Sequence, residues 1–579
     1  MELYVSGREL AALEAELATA TGDARAANAV TLAWHLRQRD SARALALSSE
    51  ADALLAPGAL PPPVCAALRA RSALAQCEIA ALRGQLDTAE ILLARARAQF
   101  SLDEDALAEG DALLVEAVVA KASGQREREL EAYASSVAFF TESPDAHRLA
   151  VARAWATYEG AFAEPDAIDA VAATTPHERE DAPYSACEAL HYAARGLRLS
   201  RREPARAAES FLRASERARD CGLLRHAVVC TLNAGTALQG LGDFEQAAAC
   251  YDEASMAARA TGWPALIGTV QTCLGAFLQE LGQLEESRAV LSDAMSWLAL
   301  APRGINKANA CSALAHTLLA LGRGIEAVGP MTEAIRMYRE ARSTDNLALN
   351  LIGHARALSA AGQAEAALAA IAEAEALIAR HGLSALGVGV LEALAEIHAR
   401  HALPPPTDLR APTAALHFSE AMLAEGQRIP GWKAPASLYV KLAEAWAATG
   451  DLARAYEHAR KALAVKDQEA ALRSSDPLAV LRLRRQGTLP TGKASQPGRP
   501  VTESDEPPVL FAKLLTPRER DITQLLARNY SNKEIATALE LSDETIKWHL
   551  KKIFVKLDAG SRKHAVTRAR TLGVIRFSS

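Results

Sequence analysis

The sequence predicts an all-α chain in two parts, a long stack of repeated helical hairpins followed by a small basic helical domain. Three observations lead there. Apolar residues recur at helical spacing from Leu10 to about Val480, with almost no strand-like alternation. A glycine-led turn signature returns in fixed register along the chain. Charge is divided unevenly: residues 514–579 hold 13 Lys+Arg against 7 Asp+Glu, a net of +6, while the remainder holds 51 against 63, a net of −12. A basic tail on an acidic body fits one part that meets nucleic acid and one that does not. The full 579 residues are too many for one domain and ample for a large core.

The repeats come first. Arg39-Asp40-Ser41-Ala42-Arg43-Ala44 opens the series. Gly84-Gln85-Leu86-Asp87-Thr88-Ala89 is followed at the same register by Gly124-Gln125. That register predicts turns at Ala163-Glu164-Pro165 and Arg202-Glu203-Pro204. Gly242-Asp243-Phe244-Glu245-Gln246-Ala247 returns, evenly spaced, at Gly282, Gly322 and Gly362. Gly450-Asp451-Leu452-Ala453-Arg454-Ala455 closes the series.

Each unit makes physical sense as a helical hairpin. Ala234, Gly235 and Leu238 precede the turn at Gly242, and Phe244, Ala247, Tyr251 and Ala254 follow it. Leu442, Ala443 and Trp446 precede Gly450, and Ala455, Ala459 and Ala462 follow it. Small residues let two antiparallel helices approach closely, and the larger ones fill the space between pairs. The pattern resembles the tetratricopeptide repeat, but the step from Gly242 to Gly282 is longer than that repeat's usual period of about 34, which implies longer helices or loops. The resemblance implies a solenoid whose groove takes a peptide or protein; a purely structural spacer is the competing expectation.

After the repeats the pattern changes. Pro404-Pro405-Pro406 and Pro412, within 403–412, should interrupt or bend the stack. Leu478, Val480, Leu481 and Leu483 suggest a last short helix, and the repeat domain is expected to span 1–480. Residues 481–511 are expected to be a linker, since 487–509 are rich in Gly, Pro, Ser and Thr. Within it, Gly487 to Ala494 has the spacing of a phosphate-binding loop. Ala494 stands where the magnesium-binding hydroxyl is required, no strand pattern precedes it, and no helix pattern follows. No nucleotide or other cofactor is therefore expected.

The last part, 512–579, reads as four short helices. Thr516, Pro517 and Glu519 make a capping box with Pro at the first helical position. Ile522, Leu525 and Leu526 give an apolar stripe, and Asn529 can end the helix in the left-handed conformation. Ser531 and Glu534 cap the next helix, whose apolar face is Ile535, Ala536 and Leu539. Ser542, with Asp543 and Glu544, starts the third. Ile546, Leu550, Ile553 and Leu557 share one face of it, and Lys547, Trp548, Lys551 and Lys552 fall on the other. A short helix, a tight turn and a helix with a basic outer face is the helix-turn-helix pattern. An ordinary solvated basic face is the bland alternative.

Leu515 to Ile522, Ser531 to Ala536, Leu541 to Lys547, His549 and Lys556-Leu557 resemble the LuxR-type DNA-binding domain over about 512–576. The resemblance implies that Lys547, Trp548 and Lys551 face bases in the major groove. It implies phosphate or groove-edge contacts for Asn532, Lys533, Thr545, Lys552, Arg562 and Lys563. His549 would be a packing or backbone-contacting residue beside that face, and the helix starting near Ser561 would dimerise. Two positions depart from the family, Asn529 for the usual Gly and the bulky Trp548. The arrangement also resembles the large LuxR-type regulators of the MalT kind, but the repeats begin near the amino terminus, so their ATPase module is not expected.

The remaining residues suggest no chemistry of their own. The opening residues lead into an acidic amphipathic stretch rather than a signal peptide, and no apolar run is long enough to span a membrane. Eight cysteines lie in helical patterns without a CxxC pair, so packing is expected rather than metal or disulfides. No catalytic constellation appears. The expectation is a cytoplasmic, non-enzymatic regulator that binds double-stranded DNA as a homodimer, takes a peptide or protein ligand in its groove, and has RNA polymerase as a candidate partner. The competing expectations are an interaction scaffold with only weak DNA binding and a nucleotide-driven switch.

Overall fold

The computed structural model describes residues 2–55, 61–103, 105–143, 145–163, 182–301, 304–407, 409, 411–429 and 432–473. Near the carboxyl terminus it describes Ile522, Thr523, Leu525, Leu526, Asn532, Ile535, Ala536, Leu539, Ile546, His549, Leu550 and Ile553. The chain divides into two compact units, Met1–Lys493 and Ala494–Ser579.

Among the described residues of the first unit there are 22 α-helices and no strand. A lone helix α1 (Gly7–Thr19) leads into the hairpins α2 (Gly22–Leu36) with α3 (Ser41–Leu54), α4 (Pro62–Leu82) with α5 (Leu86–Leu102), and α6 (Ala106–Ser123) with α7 (Arg126–Thr141). Next come α8 (Ala146–Ala163), then α9 (Ala182–Leu199) with α10 (Pro204–Cys221), and α11 (Leu224–Gly240) with α12 (Phe244–Thr261). The series continues with α13 (Pro264–Glu280) and α14 (Leu284–Leu298), α15 (Ile305–Ala320) and α16 (Gly324–Glu340), and α17 (Thr344–Ala360) and α18 (Ala364–His381). It ends with α19 (Gly387–Arg400) and α20 (Ala414–Gly426), then α21 (Ala436–Ala448) and α22 (Leu452–Arg473).

The long repeat period comes from helix length. Helices α11 and α12 have 17 and 18 residues, and only Leu241 to Asp243 and then Gly262-Trp263 connect them onward. Each turn glycine of the register, at 84, 124, 242, 282, 322, 362 and 450, has φ between +73° and +87°. The amide after it then donates to a carbonyl five residues back, from Asp243 to Leu238 for example, at 2.8–3.2 Å across the seven turns. That is the Schellman arrangement, which satisfies carbonyls a helix end would otherwise leave open. The turn at 203 uses Glu203, whose amide donates to Leu199 at 2.8 Å, and Pro204 begins α10. Glu164 and Pro165 lie outside the described residues, as do the expected helix at 478–485, the linker and the phosphate-loop lookalike.

Seven residues before the turns at 84, 124, 203, 242, 282, 322 and 362 stands a small buried residue, Cys77, Ala117, Gly196, Gly235, Gly275, Ala315 and Ala355, whereas Ala443 before the turn at 450 is half-buried. A Cβ at Gly275 would lie 2.5 Å from Leu291 Cγ, and one at Gly235 would lie 3.1 Å from Cys250 Cβ. The two helices of a hairpin therefore approach to the limit that the backbone allows. Ala455 and Ala462 are buried as expected, but Ala459 is exposed. It sits on α22, the last helix of the first unit among the described residues. Between α19 and α20 the Pro-rich segment carries no described helix, yet α20 packs directly on α19.

Successive first helices touch one another, α4 with α6, α13 with α15 and α17 with α19, so they form the inner wall of the stack. The stack winds back on itself. Arg39 Nη2 donates to the Asp220 carbonyl at 2.8 Å, and the Arg225 amide donates to Gln38 Oε1 at 3.2 Å. No disulfide joins any of the eight cysteines, seven of which are buried, and burial pushes the Cys221 thiol up to about 12, as suits packing residues.

Candidate nucleic-acid interface and inner groove

In the second unit the apolar stripes are where the sequence puts them. Ile522 and Leu526 are buried and helical, and Leu525 beside them is half-buried. Ile535 and Ala536 are buried, and the Leu539 amide donates to the Ile535 carbonyl at 3.0 Å. Ile546, Leu550 and Ile553 are helical and buried. Asn532 and His549 are helical and half-buried. Lys533, Thr545, Lys547, Trp548, Lys551, Lys552, Arg562 and Lys563, together with Leu557, lie outside the described residues.

The inner wall of the first unit holds a second candidate site that the sequence did not reveal. A cavity there is lined by α2, α4, α6, α8 and α11, with Tyr133 from α7. Much of its polar lining is paired charge. Arg37 Nε meets Glu78 at 2.6 Å, Arg148 Nε meets Asp111 at 2.8 Å, and Lys121 bridges Glu129 and Glu159 at 2.8 and 2.5 Å. Burial alone would raise the Glu159 carboxyl, but Lys121 and Arg126 outweigh it and hold the group below its ordinary value. His226 is buried in an edge-to-face contact with Trp155 and Tyr158, at 5.5 and 4.7 Å between centroids. Burial, reinforced by Arg225, pushes its imidazole down to about 3.

The non-helical segment Glu2–Val5 enters this cavity. Trp34 Nε1 donates to the Glu2 carbonyl at 3.1 Å, and Arg39 Nη2 donates to the Val5 carbonyl at 2.5 Å. Leu3 and Val5 are each 6% exposed. The signal for this lay in Leu3-Tyr4-Val5, an apolar triplet just ahead of the Ser6 cap of α1, but nothing in the sequence said where it would be buried. Among the described residues no group of side chains could hold a metal ion, and no helix is long and apolar enough to cross a membrane.

Residues 513–569 match the model of the bacterial regulatory proteins of the luxR family. This segment is a LuxR-type helix-turn-helix domain. The transcriptional regulatory protein ComA of Bacillus subtilis is 47% identical over 62 residues, 11% of this chain and 29% of ComA. The quorum sensing-dependent regulator RpaR of Rhodopseudomonas palustris is 45% identical over 63 residues, 11% of this chain and 26% of RpaR. The regulator AlkS of Pseudomonas putida is 39% identical over 61 residues, 10% of this chain and 7% of AlkS. The chain thus spans less than a third of each of these relatives. Among solved structures, a Rap protein complexed with competence and sporulation factor aligns at TM-score 0.46 and 11% identity, over 63% of this chain and 99% of that one. The apo quorum sensor NprR of B. thuringiensis aligns at TM-score 0.30 and 11% identity, over 76% and 97%.

Proposed function

We propose that this chain is a cytoplasmic, non-enzymatic transcription regulator. Residues 512–579 bind double-stranded DNA as a homodimer, 481–511 link, and 1–480 sense a peptide or protein. The LuxR-type match at 513–569, in one chain with a groove-bearing helical stack, carries the reading. In it Lys547, Trp548 and Lys551 read bases, because they alternate in sequence with the buried positions 546, 550 and 553. Asn532, Lys533, Thr545, Lys552, Arg562 and Lys563 meet phosphates or groove edges, and His549 supports the helix beside them. The stack contributes control rather than contacts to DNA, since its net charge is negative. A peptide suits the groove because its donors, Trp34 and Arg39, already grip main-chain carbonyls. RNA polymerase is the candidate partner of the DNA-bound form, and no nucleotide takes part.

The test is a fragment from about Glu506 to Ser579. It is expected to fold alone as a small helical domain and to prefer selected over random DNA. Equal binding of both would support a scaffold with accessory DNA binding instead. Operator binding by the full chain should be the same with and without ATP and magnesium, and Lys493→Ala should be silent; nucleotide-dependent binding abolished by Lys493→Ala would favour the switch.

A further inference from the structure

The cavity on the inner wall is already filled, and by the chain itself. With Glu2–Val5 in place the centres of water molecules can still reach about 30 Å³ of the cavity, enough for ordered water. The grip on this segment is of the kind a site applies to a peptide. Two buried or half-buried donors, Trp34 Nε1 and Arg39 Nη2, take main-chain carbonyls three residues apart, at 3.1 and 2.5 Å. Main-chain contacts of this sort tolerate a change of occupant, while pockets for side chains set its sequence. Leu3 and Val5 fill apolar space, and the Arg37 guanidinium lies 5.5 Å from the Tyr4 ring centroid. His226 lines the same cavity at 4% exposure, and its Nε2 has no hydrogen-bond partner among the described residues. That orphan nitrogen is a polar contact the resident segment leaves unused.

We infer that Glu2–Val5 is a resident peptide in the ligand site of the stack, and that the ligand is a peptide of the same apolar–aromatic–apolar register that exchanges with it. The inference rests on the reading of the stack as a peptide sensor. Ser6 is the hinge: its side chain and Glu9 form a closed capping box on α1, so residues 2–5 can leave without fraying the helix. Exchange also has a route outward. The Arg39 guanidinium that holds the Val5 carbonyl also holds the Asp220 carbonyl, so the occupant and the winding contact share one side chain. A tethered occupant competes at high effective concentration, and the apparent affinity for a free peptide falls by the fraction of sites it leaves open.

The probe is a fluorescently labelled Glu-Leu-Tyr-Val-Ser peptide, read by anisotropy on the full chain without DNA. Its affinity should rise at least about tenfold when residues 2–5 are deleted, as a vacated tethered site requires. A scrambled peptide should not bind, and Arg39→Ala in the deleted chain should weaken the probe. If circular dichroism shows that the deletion has lost its helices, the full-length Leu3→Ser/Val5→Ser variant takes its place, with the same rise expected. Equal affinity for the intact and the vacated chain, or no binding to either, overturns the inference. Operator binding is measured in parallel: its loss with exchange intact counts against the regulator reading alone, and the reverse counts against the exchange alone.

Discussion

The Arg39 guanidinium occupies the space that a side chain at Gly222 would need. A Cβ built on Gly222 would fall on Nε of Arg39, and Gly222 has φ +85°. Arg39 Nη2 bonds the Asp220 carbonyl across 181 residues of sequence. A glycine is thus required there twice over, once for its backbone and once for what rests against it.

Gly222→Ala should therefore destabilise the first unit more than Gly262→Ala. Gly262 has φ +67° but open space around it, so its replacement bears only the left-handed strain, about 1–2 kcal/mol. The difference between the two isolates the contact with Arg39. Urea titrations of both variants, repeated in an Arg39→Ala background, check this: the difference should vanish in that background.

Close helix approach makes a second prediction. Gly275→Ala puts a methyl 2.5 Å from Leu291 Cγ, whereas at Gly235 the nearest atom is 3.1 Å away. Overpacking of this sort costs about 1–3 kcal/mol, and Gly275→Ala should exceed Gly235→Ala within that range. Gly235→Leu, which adds far more than a methyl, should cost at least as much as the larger of the two. Thermal unfolding of the three variants orders them.

Acid should weaken the fold in two windows. Burial, with Arg37 and Arg39 for His35 and with Arg225 for His226, pushes both imidazoles from 6.5 down to about 3. Below pH 6.5 the unfolded chain takes up protons that the folded chain refuses, so stability falls as the pH drops toward 3. Each histidine contributes up to about 1.4 kcal/mol per pH unit in that range. His226→Asn should flatten the fall between pH 6.5 and 4. Glu159, held below its ordinary 4.5, contributes stability above that value, and this is lost as the pH falls through its lowered pKa. Denaturant midpoints at a series of pH values test both; a slope unchanged in His226→Asn would remove the histidine argument.

In the DNA-binding unit, Lys547→Ala, Trp548→Ala and Lys551→Ala should each lower specific binding by about 1–3 kcal/mol if the side chain reads a base. Lys533→Ala should weaken all sequences alike and reduce the salt dependence by about one unit if it meets a phosphate. Competition binding with selected and random duplexes separates the two behaviours. Unchanged specificity in all three helix variants would discard the recognition-helix assignment.

The stack was legible because its turns are local. A glycine with φ near +75° leaves the same mark in every copy, and Gly84, Gly124, Gly242, Gly282, Gly322, Gly362 and Gly450 all carry it. The connections between hairpins were harder to read. Gly222, Gly262 and Gly382 share the left-handed conformation, but Arg342 holds the equivalent position with φ +53°, and a lone Arg carries no turn signal. In the DNA-binding unit the apolar stripes through Ile522, Ile535 and Ile546 could be read from spacing alone. The cavity that holds Glu2–Val5 could not. It depends on residues 38 and 39 meeting residues 220 and 225, and no periodicity in the sequence encodes where a winding chain returns to itself.

Gly282 and Gly322 have φ of +77° and +73° at the same point of successive repeats. A chain cut at one and rejoined at the other would keep its turn geometry and lose one whole hairpin. Gly275 and Ala315, each seven residues before its turn, show that the neighbouring small position would be supplied from either side of the cut. The stack is in that sense a ruler graduated in hairpins. Adding or removing a unit would leave these turns as they are, and the features that resist such editing are those fixed by where the winding brings distant repeats together.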